Sequence, residues 1–496
     1  MREVPELRVR AVNGSPVHAG RDYVLYWMIA ARRSTWNFAL DHAAEYAQNL
    51  GKPLLVFEPL EVDYPWASAR LHRFVIDGMR DNAAAFRGTP VTYFPYVEPH
   101  PGAARGLLET LARSACVVVT DDFPSFFLPR IVAAAGARLD VRLEAVDSNG
   151  LIPMAAPDKV YTAAAFFRRY VQKHVVEHLQ HVPRAAPLVA LPSLGAIPTR
   201  VTETWAPASD ALLRGDPSAL AALPIDHEVA PTAMRGGSAA AADALQVFIS
   251  TKLARYADLH NEPEVDATSR FSPYLHFGHL SAHEVFDRVM GVEGWTTRSV
   301  DGKPVTGARE GWWGVGPSTE RYLDQLVVWR ELGYNMCAKR PDDYDTYESL
   351  PEWARATLAK HASDPRPYTY DAATLENAAT ADPLWNAAQN QLRRDGWMHN
   401  YLRMLWGKKI LEWSPTPQEA LDRMITIMNR WALDGRNPNS YSGYFWTLGR
   451  YDRPWPERPV FGTIRAMSSI NTAKKISVKS FITQYNQAAP QRNLPL

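Results

Sequence analysis

The sequence predicts a chain in two parts: an N-terminal α/β domain built on a doubly wound parallel sheet, and an all-α C-terminal domain. Three observations carry this prediction. Between Asp22 and about Val146, short apolar runs alternate with helical patterns. Residues 183–231 then hold eight prolines, too many for a regular element. Beyond Gly236 and Gly237 the apolar periodicity is almost wholly helical. A length of 496 residues, 46% hydrophobic and 22% charged, suits a multi-domain globular protein and excludes a disordered one.

Taken in order, the runs YVLYWMIA (23–30), PLLVF (53–57), VTYF (91–94), CVVVT (116–120) and VRLEAV (141–146) read as buried parallel strands. After the first, Trp36, Leu40, Ala43, Ala47 and Leu50 share one helix face behind Ser34 and Thr35 as caps. Alternating strands and helices demand right-handed crossovers and place ligands outside the carboxyl ends of the strands. No GxGxxG follows the first strand, so a standard dinucleotide site is not expected. Residues 161–237 read as a connector, giving domains at 21–160 and 238–482. Ser238 is expected to cap a helix that aligns Leu245, Phe248, Ile249, Leu253 and Tyr256. Further helices are expected at about 281–290, 319–338, 384–411 and 417–432, with 291–318 as a surface insertion.

The net charge of +1 conceals an asymmetry: residues 391–496 carry 16 Lys and Arg against 7 Asp and Glu, a net of +9 that leaves −8 for the rest. A basic C-terminal face suits a phosphate-bearing partner. With only Cys116 and Cys337, the chain has no disulfide framework, Cys₄ zinc site or cysteine-bound iron–sulfur cluster. The opening MREVPELRVR lacks the apolar run of a signal peptide, and no stretch approaches the roughly 18 apolar residues of a spanning helix. The expectation is a cytoplasmic monomer with no membrane contact.

Several constellations have chemical and structural readings side by side. His174, His178 and His181 share a helical face, and His276, His279 and His283 form a second set. No Cys or Asp completes either as a ligand sphere, and no metal is expected. Thr268, Ser269, Arg270, Phe271 and Ser272 precede Pro273, so Ser272 as a cap with proline at the first helical position would leave free N–H groups to meet an anion. Lys252, Arg255 and Tyr256 add donors just upstream. Trp385, Trp406 and Trp413 fit core packing or, beside a flavin, a redox chain. Arg403 and Asp434 fit a buried pair or a polar clamp on a ligand. The segment WTLGRYDRPWPERPVFGTIRAM interleaves Arg450, Arg453, Arg458 and Arg465 with Trp446, Tyr451, Trp455 and Phe461, the mix of cations and rings used on unpaired bases.

In order, SRFSPYLHFG, LVVWREL, WNAAQ, RMLWGKKILEW, LDGRNPN and ERPVFGTIRAM resemble the photolyase/cryptochrome family, specifically class II cyclobutane-pyrimidine-dimer photolyases. The resemblance spans nearly the whole chain, weakly through YWM (26–28) and VDSNGLIPM (146–154) and strongly from about Arg321 to Ile482. It implies an all-α C-terminal FAD-binding domain and a cleft in the N-terminal domain that a deazaflavin antenna, a folate antenna or nothing could occupy. The implied activity is that of a deoxyribodipyrimidine photo-lyase: blue-light-driven, FAD-dependent repair of pyrimidine dimers in DNA by electron transfer. The implied FAD contacts are Tyr256, Thr268, Ser269, Arg270, Phe271 and Ser272 at the phosphates, with Arg403, Asp434 and Gly435 beside the isoalloxazine. Trp406, Trp385 and Trp413 would carry electrons. Trp329, Met404 and Trp446 would line the lesion pocket, and Arg458 and Arg465 would meet DNA, which must flip the dimer out to reach the flavin.

Two departures from the family stand in the motifs. Gln325 takes the place of a glutamate that hydrogen-bonds the dimer, and a carboxamide has no acidic proton to share. Met428 stands where the family has an asparagine near flavin N5, with Asn429 one residue later. These departures imply weakened repair, or a cryptochrome-like FAD photoreceptor in which repair is lost.

Overall fold

A computed structural model describes residues 4–186, 188 and 191–487. Pro187 of the connector and the first three residues of MREVPELRVR lie outside them. Six strands form one sheet: β1 (Val9–Ala11), β2 (Tyr23–Trp27), β3 (Leu54–Leu60), β4 (Thr92–Val97), β5 (Ala115–Asp121) and β6 (Leu143–Val146). Their order is β1-β6-β5-β2-β3-β4, and every neighbouring pair is parallel except β1 with β6. The doubly wound sheet is thus as expected, with one addition. Strand β1 is three residues long and largely exposed, so it carries no alternation to read, and it moves the start of the domain upstream of residue 21. In β2, Tyr23, Leu25 and Trp27 enter one apolar cluster while Val24 and Tyr26 enter another, because helices cover both faces.

The first helix is Phe38–Leu50, and Asn37 caps it, its Oδ1 accepting from the Ala39 and Leu40 N–H groups at 3.0 and 3.2 Å. Ser34 and Thr35 do not cap, because Trp36 stands between them and the helix with a φ of 51°. The expected connector also needs correction. Its first part is the 15-residue helix Ala164–His178, which buries Phe167, Val171 and Val175, and three short helices follow at Thr199–Thr202, Asp210–Arg214 and Pro217–Ala221. Prolines crowd only the part after residue 183.

In the helical domain, Ser238 is the first residue of helix Ser238–Val247 and not its cap; its hydroxyl is buried without a partner. Asp81 of the α/β domain takes that role, accepting from Ala239 N–H at 3.0 Å. The expected run through Tyr256 passes into a π-helical turn at Phe248–Lys252 and a 3₁₀ turn before Tyr256–Leu259. The stretch 319–338 is Pro317–Leu323, a π-helical turn at Asp324–Trp329 and Arg330–Lys339. The stretch 384–411 is two helices, Pro383–Asp395 and Asn400–Trp413, parted by Gly396 at a φ of 67°. Pro417–Trp431 follows, capped by Thr416, and the last helix, Lys479–Asn486, runs past residue 482. The 291–318 insertion is not wholly superficial: Trp312 and Trp313 are buried, and Trp295 donates to the Trp313 carbonyl at 2.9 Å.

The domains are joined by buried polar contacts. Arg70 reaches from helix Ala69–Phe86 to the last carbonyls of two helices in the other domain, donating to Leu392 (3.3 Å), Arg393 (2.6 Å) and Trp431 (2.6 Å). Among the described residues, no helix is long and apolar enough to cross a membrane.

Candidate functional site

Three segments meet at one ion pair, between the half-buried Arg403 and the buried Asp434. Helix Asn400–Trp413 presents Arg403, whose Nη2 lies 2.9 Å from both carboxylate oxygens of Asp434. Asp434 sits in the turn after Pro417–Trp431 and also accepts from the Ser272 hydroxyl at 2.5 Å. Ser272 is the first residue of the short helix Ser272–His276 and does not act as its cap, because the side chain is committed to Asp434. His399 Nε2, buried without a hydrogen-bond partner, lies near Arg403, and the buried Tyr444 hydroxyl lies near Arg403, Asp434 and Ser440. His399 Nδ1 accepts from Tyr401 N–H at 3.3 Å, and burial pulls the imidazole down to about 4. Unpartnered buried groups of this kind are what a polar ligand satisfies.

The neighbouring residues divide by what they touch. Phe271 and Tyr256 are buried, each packing edge-on against Phe248. Thr268 and Ser269 are half-buried, while Arg270 is exposed, holds a φ of 55°, and lies over the Trp397 ring at 4.7 Å beside Asp266. Asn429 is spent inside the chain: its Oδ1 accepts from Arg436 N–H at 2.7 Å and its Nδ2 donates to Tyr441 at 3.3 Å. Met428, one position earlier, is buried. Gly435 leaves no room for a side chain, since a Cβ would lie 2.6 Å from the Met428 carbonyl oxygen.

The tryptophans form a ladder. Trp385 and Trp406 stack with ring centroids 6.4 Å apart and planes 4° from parallel, and Trp385 meets Trp413 edge-on at 5.4 Å. Trp385 donates to the Trp406 carbonyl at 3.0 Å and Trp406 to Gln389 at 2.8 Å, so both indoles are held in orientation. The Trp413 N–H is buried without a partner. Sequence reading missed the continuation: Tyr370 lies edge-on to Trp413 at 5.1 Å, and Tyr368 stacks on Tyr370 at 6.0 Å with 55% of its surface exposed. Neither tyrosine shares a helical period with the tryptophans, so spacing could not find them.

Gln325 and Trp329 are half-buried on the π-helical turn, whereas Asp324 is buried and paired with Arg168 at 2.8 Å. Met404 and Trp446 are half-buried on helices Asn400–Trp413 and Pro438–Thr447. Trp446 lies between two cations, Lys408 Nζ at 4.8 Å and the Arg465 guanidinium at 5.6 Å. Lys408 is fully buried, donates to the Thr447 carbonyl at 2.7 Å, and is drawn down to about 7 by desolvation. Arg465 is half-buried, ion-paired to Asp452 at 3.0 Å and stacked over Trp455 at 4.1 Å. The interleaved surface is smaller than expected, because Arg450, Tyr451 and Phe461 are buried; Arg453 and Arg458 remain exposed.

No family model matches the chain. It is 33% identical over 96% of its length to a deoxyribodipyrimidine photo-lyase of Methanothermobacter thermautotrophicus, covering 97% of that protein. A protein of the same name from Oryza sativa subsp. japonica is 34% identical over 94% of this chain and 88% of the relative. The chain belongs to the photolyase/cryptochrome family. Solved structures agree in fold: a class III photolyase of Agrobacterium tumefaciens superposes with a TM-score of 0.64 at 15% identity, over 94% of this chain and 86% of that one. A cryptochrome of Synechocystis gives 0.64 at 14%, over 98% and 89%.

Within this family fold, one expected ligand position is closed. The sheet order reverses between β5 and β2, which puts the ligand crevice outside their carboxyl ends. There Asp121 accepts from the Ile29, Ala30 and Ala31 N–H groups at 2.7–3.0 Å. Gly278 of the helical domain presses so near that a Cβ would fall 1.9 Å from the Ala30 oxygen. The cavity left at this point is about 10 Å³, lined by Asp121, Phe123, His276 and Arg330.

The histidine sets also resolve into structure. His279 and His283 are buried and His276 half-buried, and desolvation lowers the pKa of all three, His279 to about 3 while its Nδ1 accepts from Gly237 N–H at 2.9 Å. His181 lies beyond helix Ala164–His178. Among the described residues no cluster of His, Cys, Asp and Glu is placed to hold a metal ion.

Proposed function

We propose that the chain is a class II-like deoxyribodipyrimidine photo-lyase that uses blue light and FAD to split cyclobutane pyrimidine dimers in DNA. The observation that carries this reading is the buried ladder Trp406–Trp385–Trp413, which continues through Tyr370 to the exposed Tyr368. Ring-to-ring contact over that span gives an electron a path between solvent and the helical core. The names of relatives at 30–34% identity support the same activity.

FAD would supply a photoexcited electron donor and, once the two carbon–carbon bonds of the cyclobutane ring have parted, the acceptor of the same electron, so that no net redox change remains. The residues present fit it. Arg403 and Asp434 give a fixed charge pair with the unsatisfied His399 Nε2 and the Tyr444 hydroxyl near it. Tyr256, Thr268, Ser269, Arg270 and Ser272 would hold the phosphates, Arg270 by turning away from Trp397. Because Asn429 is already satisfied within the chain, Met428 is the better residue for the position near flavin N5. Trp329, Met404 and Trp446 would enclose the flipped dimer, and Gln325 would donate its amide N–H to a dimer carbonyl. Arg458 and Arg465 would meet DNA backbone and the gap left by the flipped bases.

A second reading, a cryptochrome-like photoreceptor with weak repair, is favoured by Gln325 and by Met428 at the position near flavin N5. The deciding experiment is to photoreduce the flavin-loaded protein and illuminate it with an oligonucleotide carrying one thymine dimer. Light-dependent return of thymine absorbance supports the photolyase. No return from a protein that binds and photoreduces FAD supports the photoreceptor.

A further inference from the structure

Helix Ala164–His178 has two working faces. One buries Phe167, Val171 and Val175 in the helical core. The other presents Phe166, Arg169, Tyr170, Lys173 and His174, spaced i, i+3, i+4, i+7 and i+8 and therefore on one side of the helix. That side looks into a cavity of about 550 Å³, which Lys159 and Tyr161 also line. The volume falls within the usual range for small-molecule sites.

The chemistry of this cavity is specific. Phe166 is 61% exposed, more than any other aromatic side chain among the described residues. On the same helix Tyr170 sits in an aromatic cluster, stacked on Phe167 at 6.1 Å and tilted against Tyr161 at 5.4 Å and His174 at 4.5 Å. Lys159, Arg169 and Lys173 supply three cations against one lining carboxylate, Asp158. Arg169 is held by the 291–318 insertion, donating to the Thr306 carbonyl at 3.0 and 3.3 Å. On the flank of the same helix Gln172 accepts from Gly307 N–H at 2.7 Å and donates to the Ala308 carbonyl at 2.9 Å. The insertion thereby braces the helix that carries the cations.

We propose that this cavity binds the base-and-phosphate unit of a nucleotide, the base stacking on Phe166 and Tyr170 and the phosphate meeting Lys159 and Lys173. Aromatic faces joined to cations are the recognition chemistry of an unpaired nucleotide, and a free nucleotide or one residue of a single strand presents the same unit. The site is separate from the Arg403–Asp434 pair and does not depend on the photolyase reading.

The test uses the full flavin-loaded chain and two probes, etheno-ATP and fluorescein-labelled (dT)₈, followed by anisotropy, with tripolyphosphate as a competitor that lacks a base. Phe166→Ala is expected to weaken probe binding about tenfold. The double variant Lys159→Ala/Lys173→Ala is expected to weaken it and flatten its salt dependence. Tripolyphosphate should displace either probe poorly. Weakening of etheno-ATP by Phe166→Ala assigns the site to free nucleotides, and weakening of (dT)₈ alone assigns it to a strand. The proposal is overturned if neither variant changes either probe. It is equally overturned if the lysine pair matters and Phe166→Ala does not, since that describes an anion patch with no place for a base. All three side chains are exposed, so the variants should fold.

Discussion

Gln325 is the residue on which the proposed chemistry turns. A carboxamide can donate to a dimer carbonyl but cannot share an acidic proton as a carboxylic acid does, and hydrogen bonds involving ionised groups are about twice as strong as neutral ones. Gln325→Glu is therefore expected to raise the single-turnover repair rate about tenfold, equivalent to about 1.4 kcal/mol; an unchanged rate would remove Gln325 from the reaction. Lys408 offers a test of the lesion wall that needs no light. Desolvation lowers its pKa to about 7 in the folded protein, against about 10.4 in the unfolded chain. Between those values the unfolded state binds the extra proton, so the contribution of Lys408 to stability rises with pH from about 7 to 10 and is unfavourable below. Lys408→Met should be the more stable protein at pH 6, by about 1–3 kcal/mol, and this advantage should vanish by pH 10 in paired thermal melts.

At the level of elements, the ladder draws its rungs from three places. Trp385 comes from Pro383–Asp395, Trp406 and Trp413 from Asn400–Trp413, and Tyr370 from the loop before residue 371. Gly396 makes the turn that lays the first two helices side by side, and without it Trp385 and Trp406 would belong to one continuous rod. Trp385 touches both other indoles, so Trp385→Phe should slow photoreduction more than tenfold in transient absorption while leaving flavin content unchanged. Tyr370→Phe should leave the first hop intact and shorten the lifetime of the separated charge, because the rung that leads to the surface then loses its phenol. Equal photoreduction in both variants would disconnect the ladder from the flavin.

For the whole molecule, Arg70 decides how firmly the two domains act as one. It closes the carboxyl ends of Pro383–Asp395 and Pro417–Trp431 from a helix of the α/β domain, and burial lowers it only to about 10, so it stays charged at neutral pH. Arg70→Ala leaves those carbonyls without their donor and should cost about 2–4 kcal/mol in urea denaturation. The charge asymmetry belongs to the same scale. If the basic C-terminal region meets DNA phosphates, affinity for a dimer-containing duplex should fall steeply with salt, and Arg458→Ala should reduce the slope by about one counterion. An unchanged slope would place Arg458 outside the interface.

Much of this protein is legible in one dimension because its signals are local. The buried strands announce themselves as short, mainly apolar runs, most cleanly YVLYWMIA, PLLVF and CVVVT, since a sheet covered on both faces needs no polar side, and the six ordered motifs are sufficient to indicate the family. The same locality explains what was not legible. Strand β1 is too short to carry a period, Asn37 displaced Ser34 and Thr35 as a cap through a backbone reversal at Trp36, and the π-helical turns leave no mark on composition. Arg403 and Asp434 stand 31 positions apart, and only the packing of three segments shows that they meet. The crevice at β5 and β2 reads as open from strand order and is closed by Gly278, whose approach is possible only because it has no side chain. Residue types and their periods determined the architecture and the family; which side chains face one another across long separations was decided by packing, because burial and steric fit are properties of surfaces that exist only once the chain has folded.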